Sequence, residues 1–308
     1  MLLPLLMTIE QARKGISTCI KSIYDKDETN NIAEIVLEHI TGLSRIEILL
    51  NKNFILSTDQ KESLTRITIR LMNHEPVQYI MNEAWFGEMK FYVDENVLIP
   101  RPETEELVDW IIKDFKIPDR PGHPGGQNSR PTGPSGRAKY KILDIGTGSG
   151  CIAITLKNKL PSIEMWACDI SDEALTVARM NADTLKATID FVPLNFLDAD
   201  QRRQLPQFDI IVSNPPYVPK NEKLKMKKNV ADFEPSVALF VPDNDPLIFY
   251  KAIAEFGKER LSHQGKIYIE IHQELGEQVK TLFYSIGYRF VELKKDMQGK
   301  DRMIKAIN

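Results

Sequence analysis

Cysteine is scarce in this chain. Cys19, Cys151 and Cys168 are an odd number among 308 residues and show no CxxC spacing, which excludes a disulfide framework and a cysteine-based zinc site. The five histidines, at 39, 74, 123, 263 and 272, form no HxxxH or similar cluster, so no metal is expected. A basic surplus is missing as well. Lys and Arg number 40 against 43 Asp and Glu, a net charge of −3, whereas a protein held mainly by nucleic-acid phosphates carries an excess of positive charge. No run approaches the ~18 apolar residues of a membrane span. Residues 1–7 are apolar but short, contain Pro4 and lack a basic leader. These absences lead us to expect a cytoplasmic protein with no membrane partner.

What is present is the material of a folded protein, 42% hydrophobic and 27% charged, in a length that suggests about two domains. Residues 8–75 repeat apolar positions at helical spacing: Ile9, Ala12, Ile16, Ile20 and Ile23, then Ile32, Ile35, Val36 and Ile40. Thr58 followed by Glu62 and by Leu64, Ile67 and Leu71 suggests a further capped helix. A helical bundle is expected over 1–75. Residues 76–117 hold Trp85, Phe86, Phe91, Tyr92 and Val93 around Gly87, the pattern of a hairpin, and then a connector leading into a helix. Residues 118–138 contain five prolines and five glycines in 21 positions and no large apolar side chain, the composition of a flexible link.

From 139 to 308 strands and helices alternate. Strands are expected at 141–145, 163–169, 189–193, 208–212 and 265–271, with helices at 150–159, 172–185 and 246–260. Such alternation gives an α/β fold with a parallel, doubly wound sheet. The strands at 288–293 and 303–307 are joined by a short loop and form an antiparallel hairpin at the end. A doubly wound sheet closed by a C-terminal antiparallel hairpin is the pattern of a Class I S-adenosylmethionine-dependent methyltransferase.

Two constellations carry chemistry. The strand KILDI runs into Gly146, Thr147, Gly148, Ser149 and Gly150, a turn whose glycines let the backbone approach a ligand at the following helix N-terminus. The spacing is GxGxG, not the GxGxxG of a pyrophosphate site, because residue 151 is cysteine. Asp144, just before the turn, is expected to place a carboxylate near a cationic ligand such as S-adenosylmethionine. Asp169, at the end of the next strand, suits the two hydroxyls of a ribose. Packing alone could also explain the glycines, and helix capping Asp169.

The strand at 208–212 ends in Ser213, Asn214, Pro215, Pro216 and Tyr217. The prolines stiffen the backbone and remove two N–H donors. An Asn214 side-chain oxygen and the Pro215 carbonyl remain as acceptors, matched to the two hydrogens of a planar NH2 group, with Tyr217 as a stacking face. An amide or aryl NH2 is a poor nucleophile because its lone pair is delocalised. Gripping both hydrogens favours a pyramidal nitrogen and aims its lone pair at a methyl donor, which is positioning rather than base catalysis.

The chain resembles the release factor glutamine methyltransferases, the PrmC/HemK group, along nearly its whole length: EPVQYI at 75–80, FGEMKFYVDENVLIPRPETEELV at 86–108, ILDIGTGSGCIAI at 142–154, FDIIVSNPPYV at 208–218 and DMQGKDR at 296–302. NPPY is shared with amino-methyltransferases of DNA and RNA; IPRPETE and the helical N-terminus are more specific. The resemblance implies S-adenosylmethionine as cofactor and methylation of N5 of the glutamine in the Gly-Gly-Gln motif of class 1 peptide chain release factors, docked through the N-terminal bundle. It implies cofactor contacts at Gly146 to Gly150, Asp169, Asn214 and Phe196, the last standing where the family more often has tryptophan, and a substrate clamp of Asn214, Pro215, Pro216 and Tyr217. Arg101 and Glu103 are expected to order a loop over the cofactor or to form a purely structural hinge.

Departures are the long 118–138 link and Asp243, Asn244, Asp245 and Pro246 in place of an acidic-glycine turn. Residues 220–228 hold five lysines and one glutamate, a solvated loop or an electrostatic guide. The link contains Gly125, Gly126 and Gln127, a spacer or a pseudo-substrate. The alternative function is an N6-adenine or rRNA guanine amino-methyltransferase, which would need a basic recognition domain for a flipped base. The near-even charge of the first 75 residues does not supply one, and no stable nucleic-acid partner is expected. A non-catalytic adaptor would have no need of an intact glycine turn and NPPY.

Overall fold

The computed structural model describes residues 6–116 and 140–308; the 118–138 link and Gln127 lie outside the described residues. Two compact units emerge. One runs up to Glu83 and takes in Lys227–Phe233; the other holds the remainder.

The first unit is helical: α1 (Ile9–Ile20), α2 (Lys26–Thr41), α3 (Arg45–Leu50), α4 (Thr58–Met72) and α5 (Val77–Met81). The starts of α1 to α4 are set by side-chain caps. Thr8 and Gln11, Ser44 and Glu47, and Ser57 and Gln60 each exchange hydrogen bonds between side chain and backbone, and Asp25 caps α2. The cap of α4 is therefore Ser57, not Thr58. Reciprocal capping needs a partner three residues on, and Glu62 stands four from Thr58. The apolar stripes meet in one core around Ile16, Ile20, Val36, Leu37 and Leu71. Val77, Ile80 and Met81 of α5 enter it, so this unit extends past 75.

The second unit begins with the hairpin β1 (Ala84–Phe86) and β2 (Met89–Phe91) and with α6 (Pro102–Lys116). Then follow β3 (Lys141–Ile145), α7 (Cys151–Lys159), β4 (Glu164–Asp169), α8 (Asp172–Thr184), β5 (Asp190–Pro193), α9 (Ala199–Arg202), β6 (Phe208–Ser213) and β7 (Val218–Pro219). A short α10 (Lys228–Ala231) belongs to the first unit, where Lys227 Nζ lies 2.8 Å from Glu28 Oε2. The chain returns with α11 (Ser236–Leu239), β8 (Phe240–Val241), α12 (Ile248–Arg260), β9 (Leu261–Glu270), α13 (Gly276–Ser285), β10 (Phe290–Lys295) and β11 (Asp301–Ile307). Helix α13 and the short α9, α10, α11, β7 and β8 are not among the elements expected from the sequence pattern.

Seven strands form one sheet in the order β10-β11-β9-β6-β3-β4-β5. β5, β4, β3, β6 and β9 are parallel, and β11 and β10 close the sheet antiparallel. Alternate residues face opposite layers. Ile142 packs with α6 and α7, while Leu143 and Ile145 pack with α12 and α13. Chain direction across the sheet reverses beside β3, so the ends of β3, β4 and β6 open onto a crevice suited to a ligand. Ser213 Oγ donates to the Ile145 carbonyl at 2.7 Å and joins two of those ends. Among the described residues no helix is long and apolar enough to cross a membrane.

Asn181 of α8 sews the crevice to the hairpin. Its Nδ2 donates to the carbonyls of Ser149, at 2.9 Å, and Tyr92, at 3.0 Å, and its Oδ1 accepts from Tyr92 N at 2.7 Å. Asn181→Leu would leave these backbone groups unpaired in the interior, so we expect a loss of about 3 kcal/mol, read as a lower urea midpoint at an unchanged slope. A midpoint equal to the wild type would contradict this.

Candidate active site

The glycine turn is built by conformation. Gly146, Gly148 and Gly150 have φ of 70°, 53° and 81°, values that side chains with a Cβ rarely adopt. A Cβ on Gly146 or Gly148 would meet open space, whereas on Gly150 it would sit 2.9 Å from Ile154 Cδ1. The first two glycines therefore leave room beside the backbone, and the third lets α7 and α8 pack. Gly148 N donates to Asp169 Oδ2 at 2.9 Å and Ser171 N to Asp169 Oδ1 at 3.1 Å. Burial raises the Asp169 pKa, and these backbone N–H groups oppose the rise.

A cavity of about 330 Å³ opens above these strand ends. Gly146, Gly148, Asp169, Phe196, Asn214, Pro215 and Pro216 all line it, together with Asn96, Val97 and Leu98 before α6 and Phe240 and Pro242 around β8. Thr147, Ser149, Gly150 and Tyr217 do not. Thr147 and Ser149 are buried, and Thr147 Oγ1 donates to Asp144 Oδ2 at 2.7 Å.

That bond corrects the expectation for Asp144. Its carboxylate lies under the turn on the α6 and α7 side, fully buried and turned away from the cavity, because residue 144 shares the strand face of Ile142. Burial, with Asp169 adding to it, pushes its pKa from 3.8 to about 7. Tyr217 stands outside the lining of the cavity. Its ring packs edge-on to His272 with centroids 6.0 Å apart, and its hydroxyl donates to Glu270 Oε1 at 3.1 Å. A phenol in an interior takes a partner for its O–H.

Phe196 is buried and meets Phe256 edge-to-face, centroids 5.2 Å apart. Arg101 pairs with Glu234 at 2.5 Å, and Glu234 also accepts from Ile99 N at 3.4 Å. This joins the segment carrying Val97 and Leu98 to the one leading into α11, two walls of the cavity. Glu103 is not in that pair.

Asn214 leads to residues that sequence reasoning passed over. Its Nδ2 donates to Thr104 Oγ1 at 2.9 Å, and Thr104 Oγ1 donates to Glu270 Oε2 at 2.6 Å. Thr104 lies inside the quoted IPRPETE run, and Glu270 is the lone carboxylate in the apolar strand end KIYIEI; an acid at such a place was the available signal. Arg302 of the closing motif adds positive charge near Tyr217 and Glu270. It is held by Asp296 at 3.1 Å, which also accepts from Gln298 N and Lys300 N in the β10–β11 turn.

Among the described residues no group of His, Cys, Asp and Glu is arranged to hold a metal ion. Residues 220–225 form a 3-10 turn whose Leu224 is fully exposed.

Because Asp144 binds its proton more tightly folded than unfolded, it lowers stability as pH rises from 3.8 towards about 7. Asp169 and Glu270, both raised, slope the same way. We expect Asp144→Asn to flatten, without abolishing, the fall of the unfolding midpoint across that window; an unchanged slope would contradict the assignment.

Comparisons with known proteins agree with this architecture. The PrmC N-terminal domain family matches residues 11–81 and the Methyltransferase small domain family residues 134–232. A release factor glutamine methyltransferase of Flavobacterium psychrophilum is 42% identical over 97% of this chain and 99% of its own length, and that of Bacteroides thetaiotaomicron is 42% identical over 94% and 97%. Among solved structures, the hMettl16 catalytic domain in complex with a 3′UTR hairpin superposes with a TM-score of 0.50 at 14% identity, covering 82% of this chain and 84% of that one, which shows the Class I methyltransferase fold. Helical N-terminal unit, glycine turn, NPPY end of β6 and identity along the full length of named relatives place the chain in one family: it belongs to the release factor glutamine methyltransferases.

Proposed function

We propose that this enzyme methylates N5 of the glutamine in the Gly-Gly-Gln motif of class 1 peptide chain release factors, with S-adenosylmethionine as methyl donor. One observation carries the reading: Asn214 and Pro215 line the same cavity as Gly146, Gly148, Asp169 and Phe196. An acceptor pair for an NH2 group thus adjoins a nucleoside-sized, mostly apolar space. The residues fit the donor. Gly146 and Gly148 leave room where a Cβ would intrude. Each Asp169 oxygen accepts one backbone N–H and keeps a lone pair for a ribose hydroxyl. Phe196 offers a flat wall for adenine, and the Arg101–Glu234 pair holds two walls in place.

S-adenosylmethionine supplies an electrophilic methyl on a sulfonium. The protein's part is to present the nitrogen. Asn214 Oδ1 and the Pro215 carbonyl accept the two amide hydrogens, which draws the lone pair out of conjugation and fixes its direction. Pro216 stiffens the backbone behind them. No general base is required, because the methylated amide nitrogen is strongly acidic and its proton passes to water. The helical unit up to Glu83 docks the release factor, in a cytoplasmic setting.

Incubation with S-adenosylmethionine and full-length release factor should place one methyl on the motif glutamine, mapped by mass spectrometry. A short Gly-Gly-Gln peptide should react much more slowly, since remote docking supplies positioning energy. Methylation of duplex DNA or RNA with an unmodified release factor would overturn the reading.

Two variants separate the halves of the site. Asp169→Ala should weaken cofactor binding by roughly 1–3 kcal/mol, measured by calorimetry. Asn214→Ala should lower single-turnover rate by roughly 10²–10³-fold; near-normal turnover would remove the clamp.

A further inference from the structure

We propose that Thr104 and Glu270 are positioning residues that hold the Asn214 amide in one of its two orientations, with its oxygen and not its NH2 presented to the reacting nitrogen. This rests on the reading of Asn214 as the substrate clamp. The two ends of an asparagine amide are nearly equal in size and opposite in hydrogen-bonding character. Only the oxygen end can grip an NH2. The prolines of NPPY fix the backbone but do not choose between the ends.

The choice is made by proton direction. A carboxylate only accepts. Glu270 accepts on both oxygens, from Thr104 at 2.6 Å and from Tyr217 at 3.1 Å. The single hydroxyl proton of Thr104 is thereby committed, so towards Asn214 its oxygen can only accept, and Nδ2 stands there at 2.9 Å. Turning the amide over would set two acceptors against each other with no proton between them. Thr104 and Glu270 are 2% and 1% exposed, so solvent has little access to repair the mismatch. The order runs Asn214 N–H to Thr104, Thr104 O–H to Glu270, and Oδ1 is left for substrate.

The same chain can run backwards once Glu270 takes a proton. Its O–H then donates to Thr104, Thr104 donates to Asn214, and the amide turns its NH2 outward. Burial raises the Glu270 pKa and Glu103 of α6 adds to the rise; the Thr104 and Tyr217 hydroxyls and the Arg302 guanidinium of β11 oppose it. Tyr250 of α12 and Cys151 of α7 also face Glu270, and burial holds both neutral by raising their pKa values. Acidification therefore acts on the clamp through Glu270.

The test measures single-turnover methylation of full-length release factor. Thr104→Val should lower the rate roughly 10²-fold, the loss on mis-setting one preorganised group. Half-saturation for release factor and S-adenosylmethionine affinity should stay within about threefold. Thr104→Ser, which keeps the hydroxyl, should recover most of the rate. In an Asn214→Ala background Thr104→Val should cost nothing further, because no amide is left to orient. Glu270→Gln, which both donates and accepts, should slow turnover and remove the fall in rate on the acid side of the wild-type profile. Equal losses for Thr104→Val with and without Asn214, failure of Thr104→Ser to recover a folded enzyme's rate, or an acid limb retained in Glu270→Gln would each overturn the inference. A wild type that leaves the release factor unmodified, or an active Asn214→Ala, would instead defeat the reading beneath it.

Discussion

Thr104 Oγ1 has one proton and two hydrogen-bonded neighbours, Glu270 Oε2 at 2.6 Å, which accepts, and Asn214 Nδ2 at 2.9 Å, which donates. Because the carboxylate cannot donate, the proton goes to Glu270 and the direction of the whole chain is settled. The arrangement draws on segments far apart in sequence: α6 brings Thr104, the end of β6 brings Asn214 and Tyr217, the end of β9 brings Glu270, and β11 brings Arg302. This gives a physical reason for IPRPETE, NPPY and DMQGKDR to occur in one chain. IPRPETE and NPPY supply the members of one buried hydrogen-bonded network with Glu270, and DMQGKDR sets the Arg302 charge near it. Removing one member leaves its partners unsatisfied in the interior, so the parts depend on one another more than pairwise contacts suggest.

The other half of the crevice follows a different logic. Here the backbone does the work: three residues with positive φ bend the chain after β3, and Gly148 N ties the turn to Asp169 across the gap to β4. The carboxylate is held by main-chain donors and keeps free lone pairs towards the cavity. Asp144 is close in sequence yet serves the turn from beneath through Thr147. Two acids near one glycine turn thus differ in role because strand alternation sends them to different sides. The Arg101–Glu234 pair completes the enclosure by joining walls contributed from either side of the NPPY segment.

Much of this was legible in the sequence. The alternation of strands and helices placed β3, β4, β6 and the closing hairpin within a few residues, because apolar periodicity and glycine punctuation are local signals. The proximity of Gly146, Asp169 and Asn214 follows from topology, since parallel strands put their carboxyl ends together, whereas Phe196 enters only through the family resemblance. Helix α13 is missing from the expected elements although Leu275, Val279, Leu282, Phe283 and Ile286 stand at helical spacing and pack into the core. The inward turn of Thr147, the burial of Asp144 and the hydroxyl partner of Tyr217 depend on side-chain direction at single positions, which spacing does not encode. Thr104 and Glu270 stand 166 residues apart, and no local pattern announces that they meet.

A buried donor–acceptor chain through Thr104 and Glu270 holds the Asn214 amide in one orientation. Hydrogen exchange of that side-chain amide, followed by NMR with asparagine nitrogen labelled and the signal assigned by its loss in Asn214→Ala, measures this directly. The Hδ2 proton facing Thr104 should exchange slowly in the wild type and rapidly in Thr104→Val. Exchange in the wild type as fast as that of a fully exposed asparagine would contradict it.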